Sequence, residues 1–159
     1  MFNELIKLYA DKYKIDPVFL TALIKVESGF NPLAIRYEIN YRWIYKLEEM
    51  TKLVGCSKET MLVMQRTSFG LCQLMGANAY ELGLKIYATA LLSPELNLKY
   101  ACMYLNKIIR AQSLQDTVDI YAAYNAGSVR KTKNGEYYNQ IYVNKFIQVF
   151  EELKKDQGI

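Results

Sequence analysis

Proline falls at only three places in this chain of 159 residues, and each place reads as the edge of a helix. Asp16-Pro17 is an N-cap followed by a first helical residue, because aspartate accepts the amide hydrogens left over at a helix start and proline has none to leave unpaired. Ser93-Pro94-Glu95 repeats the signal and adds a carboxylate in the first turn. Asn31-Pro32 does the reverse, following Gly29 and stopping the helix that Pro17 opened. Long stretches without a breaker lie between these fixed ends, so the chain is predicted to be mainly α-helical. With 52% hydrophobic and 23% charged residues, it can bury the core of a single domain over residues 1–159 without metal or disulfide staples.

The periodicity fills in the remaining elements. Asn3 is expected to cap a first helix running to about Tyr13, with Leu5, Ile6, Leu8, Tyr9 and Tyr13 on its inner face. Short helices are predicted over 47–54 and 57–65, the second capped by Ser57 with Glu59 in its first turn. The stretch TSFGLCQLMG (67–76) is expected to enter another helix. Leu96–Ile109, Gln115–Ala126 with Gly127 as its stop, and a last helix from about Tyr138 to Leu153 complete the series, with a loop over 130–136 before the last. Only residues 34–44 change period: Ile35, Tyr37, Ile39, Tyr41 and Trp43 alternate with Arg36, Glu38, Asn40 and Arg42, which predicts a small extended or hairpin segment.

Composition removes several chemistries. There is no histidine, so neither a Ser-His-Asp triad nor a His/Cys metal site can be built. No metal and no cofactor is expected. The three cysteines are odd in number and lack paired spacing, which argues against a disulfide framework. A net charge of +4 is too modest for nucleic acid, and it suits a mildly anionic polymer equally well. Nothing approaches a membrane-spanning run or a secretory leader, so neither membrane insertion nor a signal peptide is expected. The 14 tyrosines suit either amphipathic core edges or a groove for sugar rings.

Glu27 is out of place. It follows Leu23 by four residues and Ile24 by three, so it shares the apolar face of the second helix, while Thr21, Lys25 and Ser28 form the polar side. It also lies in the last turn, where the helix dipole disfavours negative charge. Burial and dipole are both expected to raise its pKa, which suits a general acid. A buried glutamate satisfied by a tyrosine hydroxyl or a backbone amide is the structural alternative.

Four stretches carry a family resemblance. VESGFNP (26–32) resembles the first motif of the soluble lytic transglycosylases and goose-type lysozymes, E-S-x-F-N-P at a helix end. FGLCQLMG (69–76) resembles their second, G-L-M-Q-x-M; AAYNAGSV (122–129) resembles their third, A-Y-N-A-G; and Tyr142-Val143 resembles the pair that begins their last helix. All four stand in the family's order. The resemblance implies a lysozyme-like helical domain acting on peptidoglycan glycan strands, with Glu27 as general acid and base. It implies substrate-binding roles for Ser28, Gln73, Tyr124, Asn125 and Tyr142, the last with a hydroxyl near the catalytic carboxylate. Ser28 can equally serve only to finish the helix, and Tyr124 can equally be structural. Cys72 stands where methionine is usual and reads as a small packing residue.

The departures define the alternatives. YYNQI (137–141) replaces the Glu-Thr-Arg usual before the tyrosine-valine pair, and Arg36 stands where many members have serine or threonine. The stretch between the first two motifs is long and resembles that of phage-encoded members, for which delivery to the cell wall by a holin or within a virion is expected. Glu38, inside it, is either a surface ion-pair partner or a cleft carboxylate that activates water or binds sugar. A lytic transglycosylase needs one acid, whereas an inverting muramidase needs two carboxylates. A catalytically silent glycan-binding or structural domain is the third reading. A monomer is expected.

Overall fold

The computed structural model describes residues 2–158. In chain order it forms α1 (Asn3–Tyr13), α2 (Pro17–Ser28), β1 (Ile35–Tyr37), α3 (Leu47–Val54), α4 (Lys58–Gln65), β2 (Thr67–Phe69), β3 (Leu74–Met75) and α5 (Gly76–Glu81). A 3-10 turn over Ala88–Leu92, α6 (Pro94–Gln112), α7 (Thr117–Ala126) and α8 (Gln140–Asp156) follow. The protein is mainly helical with one small antiparallel sheet, the class predicted from its caps and periods. It divides into two compact units: residues up to Val26 together with those from Cys102 onward, and the continuous run Glu27–Ala101.

In the first unit the caps form largely as read. Asp16 Oδ1 accepts the Val18 amide at 2.8 Å, and Pro17 is the first residue of α2. Asp116 Oδ1 accepts the Val118 and Asp119 amides, both at 2.9 Å, so α7 starts two residues after the predicted Gln115; Gly127 closes it at φ 81°. Helix α1 departs from expectation. Phe2, not Asn3, holds the N-cap position, and Leu8 is exposed while Ile6 and Ala10 are buried. Ile6 and Ala10 stand one turn apart, and Leu8 lies about 200° around the helix from each, on the opposite side. Phe146 on α8 organises the aromatic packing: its ring stacks on Tyr121 at 4.2 Å, meets Phe19 edge-on at 5.2 Å and continues to Phe150 at 5.5 Å.

In the second unit, α3 spans the predicted residues and Ser57 caps α4 by accepting the Thr60 amide at 3.1 Å. The expectation of a helix over 67–76 is wrong. Residues 67–75 form a β-hairpin, β2 and β3, whose first strand β2 is central and also pairs with β1 in the order β1-β2-β3; only at Gly76 does α5 begin. All three residues of β2 are buried, so no alternation advertised the strand. The extended segment near 34–44 is correct only for Ile35–Tyr37, with irregular chain after it. Its alternation does not sort inside from outside, since Ile35, Tyr37, Ile39 and Trp43 are all exposed.

Candidate active site

Helix α2 delivers Glu27 and Ser28 in its final turn, and Glu27 is partly exposed there, beyond the fully buried Leu20, Leu23 and Ile24 of the same stripe. The chain then reverses through two consecutive left-handed residues, Gly29 at φ 59° and Phe30 at φ 64°. A left-handed phenylalanine is uncommon, and it is held here by local bonds: the Asn31 amide donates to Ser28 O at 3.2 Å, and the Leu33 amide to Asn31 Oδ1 at 3.0 Å. Ser28 has a defined task. Its hydroxyl donates to Leu71 O at 2.7 Å, tying the first motif to the turn of the second.

That turn is braced from three sides. Gln73 is left-handed at φ 47°, and its Nε2 donates to Ala34 O at 3.1 Å and Gly70 O at 3.0 Å, while its Oε1 accepts from the Ser68 hydroxyl at 3.0 Å. The side chain expected to bind substrate thus fastens the hairpin to the residues after α2. Beneath the turn, Asn97 of α6 is wholly buried: its Oδ1 accepts the Cys72 amide at 2.8 Å, and its Nδ2 donates to Phe69 O at 2.7 Å and Leu91 O at 3.0 Å. Gly70, at φ 70°, is required by this fit, since a Cβ there would stand 2.5 Å from both Asn97 Nδ2 and Leu91 O. Gln65 similarly clasps the chain just before α3, exchanging hydrogen bonds with the Tyr45 main chain, amide to Oε1 at 2.6 Å and Nε2 to carbonyl at 2.9 Å.

Glu38 follows β1. Its amide donates to Arg66 O at 2.8 Å, and its carboxylate forms an ion pair with Arg36 Nε, both side chains remaining open to solvent. Of the two readings of Glu38, the ion-pair partner is the one with a contact in the structure.

The other three expected site residues belong to the first unit. Tyr124 is buried and packs edge-on against Tyr104, ring centroids 5.6 Å apart. Asn125 Oδ1 accepts from Asn139 Nδ2 at 2.9 Å. Tyr142, in the first turn of α8, is 41% exposed, with Lys145 Nζ 5.6 Å from its ring centre. The loop before α8 is pinned by a cluster of its own. The Tyr137 hydroxyl donates to Asp119 Oδ1 at 2.6 Å and Lys131 Nζ lies 3.1 Å from the same oxygen. The Tyr137 bond and then the Lys131 ammonium hold the Asp119 carboxyl below its ordinary range, while burial and the neighbouring carboxylate push the Tyr137 phenol up.

Sequence reading therefore named Glu27, Ser28, Glu38 and Gln73, which the structure gathers in one unit, and Tyr124, Asn125 and Tyr142, which it places in the other. It missed Asn97, Gln65 and Asn139. For Asn97 the signal existed: it precedes the buried Ala101 and Leu105 by one and two turns, a polar side chain on an apolar stripe, as Glu27 is. Among the described residues no group of three or more His, Cys, Asp or Glu could hold a metal, and no helix is long and apolar enough to cross a membrane.

Searches of curated proteins and of solved structures each returned no match. A family model, the transglycosylase SLT domain, matches residues 4–147, a span that takes in all four motifs, the whole of the second unit and most of the first. With most of its length matched, the chain belongs to the transglycosylase SLT domain family, lysozyme-like glycan-cleaving enzymes that act on peptidoglycan.

Proposed function

We propose that residues 1–159 act as one catalytic domain that cleaves the β-1,4 bond between N-acetylmuramic acid and N-acetylglucosamine and leaves a 1,6-anhydromuramic end. The observation that carries the reading is the Ser28–Leu71 hydrogen bond, which joins the helix end bearing Glu27 to the turn bearing Gln73. An acid fixed on a braced turn can be aimed, which a carboxylate on a frayed helix end cannot. Glu27 donates its proton to the glycosidic oxygen as the bond to C1 breaks, and N-acetylglucosamine departs with a free 4-hydroxyl. The 6-hydroxyl oxygen of the muramic residue then bonds to C1, and its proton returns to the Glu27 carboxylate. Ser28 and Gln73 hold the loop around the acid, and Tyr124, Asn125 and Tyr142 bind the glycan.

The ion pair with Arg36 supports the one-acid route, because the Glu38 carboxylate is paired with a guanidinium two residues away, the contact of a surface ion pair. The long stretch between the first two motifs supports a phage or mobile-element origin, with delivery by a holin or in the virion. Mass spectrometry of muropeptides released by the wild type and by Glu27→Gln tests the reaction. Anhydromuramic ends that vanish in the variant are the expected result. Reducing ends would make the enzyme a muramidase and turn attention to Glu38, and binding without release would leave a glycan-binding domain.

A further inference from the structure

Strand β1 lies at an edge of its sheet, and the ladder fixes which of its main-chain groups face away from β2. The register is antiparallel and sets Ile35 opposite Phe69, Arg36 opposite Ser68 and Tyr37 opposite Thr67. Just beyond the strand ends, the Gly70 amide donates to Ala34 O and the Glu38 amide to Arg66 O, both at 2.8 Å. Bonded and unbonded pairs alternate along an antiparallel ladder, so Ala34, Arg36 and Glu38 turn their main chain toward β2. Ile35 and Tyr37 therefore turn theirs outward, and their N–H and C=O groups have no hydrogen-bond partner among the described residues. All three residues of β1 are exposed, so these groups meet solvent.

The open edge is short and bounded. The Ala34 amide donates to Asn31 O at 3.3 Å, closing a turn just before the strand, and the Tyr41 amide donates to Glu38 O at 3.0 Å, opening another just after it. Between the turns only Ile35 and Tyr37 offer outward groups, about 7 Å apart along the strand. That length admits the main chain of a peptide of a few residues and is too short to seat a strand of another folded sheet. The edge is also continuous with the candidate site, since Ala34 O at its head accepts Gln73 Nε2 at 3.1 Å. Its charge is positive, with Arg36 and Arg42 against Glu38, and Arg42 is exposed with no ion pair among the described residues.

We propose that the outer edge of β1 docks the stem peptide carried by the muramic residues of peptidoglycan, adding it to the sheet as a short fourth strand. The proposal rests on the reading of this chain as a peptidoglycan-cleaving domain: a glycan held beside Glu27 and Gln73 brings its peptide to the adjoining edge. The main chain of Ile35 and Tyr37 supplies the donors and acceptors, and Arg42 draws the carboxylates of the peptide. Strands that bear stems are then better substrates than bare glycan.

Because the Tyr37 N–H faces away from β2, proline at that position removes a donor to the peptide and no bond of the ladder. Tyr37→Pro is compared with Tyr37→Ala, which loses the same side chain and keeps the donor, on whole peptidoglycan and on strands stripped of their stems by an amidase. On whole peptidoglycan the proline variant is expected to fall about fivefold below the alanine variant in kcat/KM, the effect of one hydrogen bond, and on stripped strands to equal it. Equal turnover of the two variants on whole peptidoglycan, or the same deficit on stripped strands, would overturn the proposal. If the proline variant does not fold, nuclear magnetic resonance of the wild type decides. The Ile35 and Tyr37 amide signals must shift with a soluble disaccharide tetrapeptide and stay in place with the disaccharide alone. Equal shifts with the bare disaccharide, or with an unrelated peptide of the same length and charge, would refute the assignment. Shifts with protein concentration alone would refute it in favour of a second copy of this chain. Should the wild type cleave neither substrate, the reading of the domain fails, and the same titration still decides whether the edge takes the peptide.

Discussion

Replacing Asn97 by alanine tests how the second-motif turn is held. The side chain is 0% exposed and makes three hydrogen bonds, to the Cys72 amide, Phe69 O and Leu91 O. Alanine removes all three and strands at least the Cys72 N–H away from water, since the turn is buried on that side. At about 1 kcal/mol net for each bond, the loss is about 3 kcal/mol. That is a large part of a total stability on the order of 5–15 kcal/mol. For a chain of this length it corresponds to a fall in Tm of about 6–12 °C. Asn97→Asp is expected to be worse still, because a carboxylate would face two carbonyl oxygens while only the Cys72 amide gains. Thermal unfolding followed by circular dichroism, with peptidoglycan clearing measured below the transition, reads both effects. A drop in Tm under about 2 °C, or an aspartate variant more stable than the alanine one, would show that Asn97 does not hold the turn.

Two further outcomes follow from the titrating groups. Because the folded protein lowers the Asp119 carboxyl pKa, the folded state binds that proton less tightly than the unfolded chain. Its contribution to stability is therefore fully present above the ordinary aspartate value of about 4 and is lost as pH falls through the lowered folded value. Melting curves of the wild type and Asp119→Asn should differ near neutral pH and converge in acid; a gap that stays constant with pH would contradict the assignment. Among the cysteines, Cys72 and Cys102 are buried and burial pushes the Cys102 thiol up to about 12, whereas Cys56 is partly exposed. A thiol reagent should modify Cys56 first and the other two only on unfolding, as peptide mapping after a short exposure would show.

The helix ends were legible because their chemistry is local: Asp16-Pro17, Ser57 and Gly127 each satisfy or release backbone groups within a few residues. The hairpin at 67–75 was not legible. Its strand β2 is buried throughout, and its turn depends on Asn97, more than twenty residues further along, and on the left-handed Gln73. The alternation at 35–43 misled in the other direction, since with both faces open to solvent it reported no burial. Of the candidate site, Glu27 could be found because a carboxylate interrupts an apolar stripe. Asn139 could not, because asparagine before a helix reads as an ordinary cap, and only the structure shows the side chain turned toward α7.

The order of the two units along the chain bears on how the protein comes to be made. The unit Glu27–Ala101 is one uninterrupted stretch, so every partner of its hairpin, Asn97 included, has been synthesised by the time Ala101 is added. The other unit draws on both ends, and Phe19 must wait for Phe146 before the aromatic stack can close around it. Folding of the continuous unit before the C-terminal helix arrives would shorten the loop joining those two parts and lower the entropy lost in closing it. On the ribosome α1 can meet its α6 partner Asn106 early, whereas the face of α2 bearing Phe19 meets Phe146 only after α8 is made.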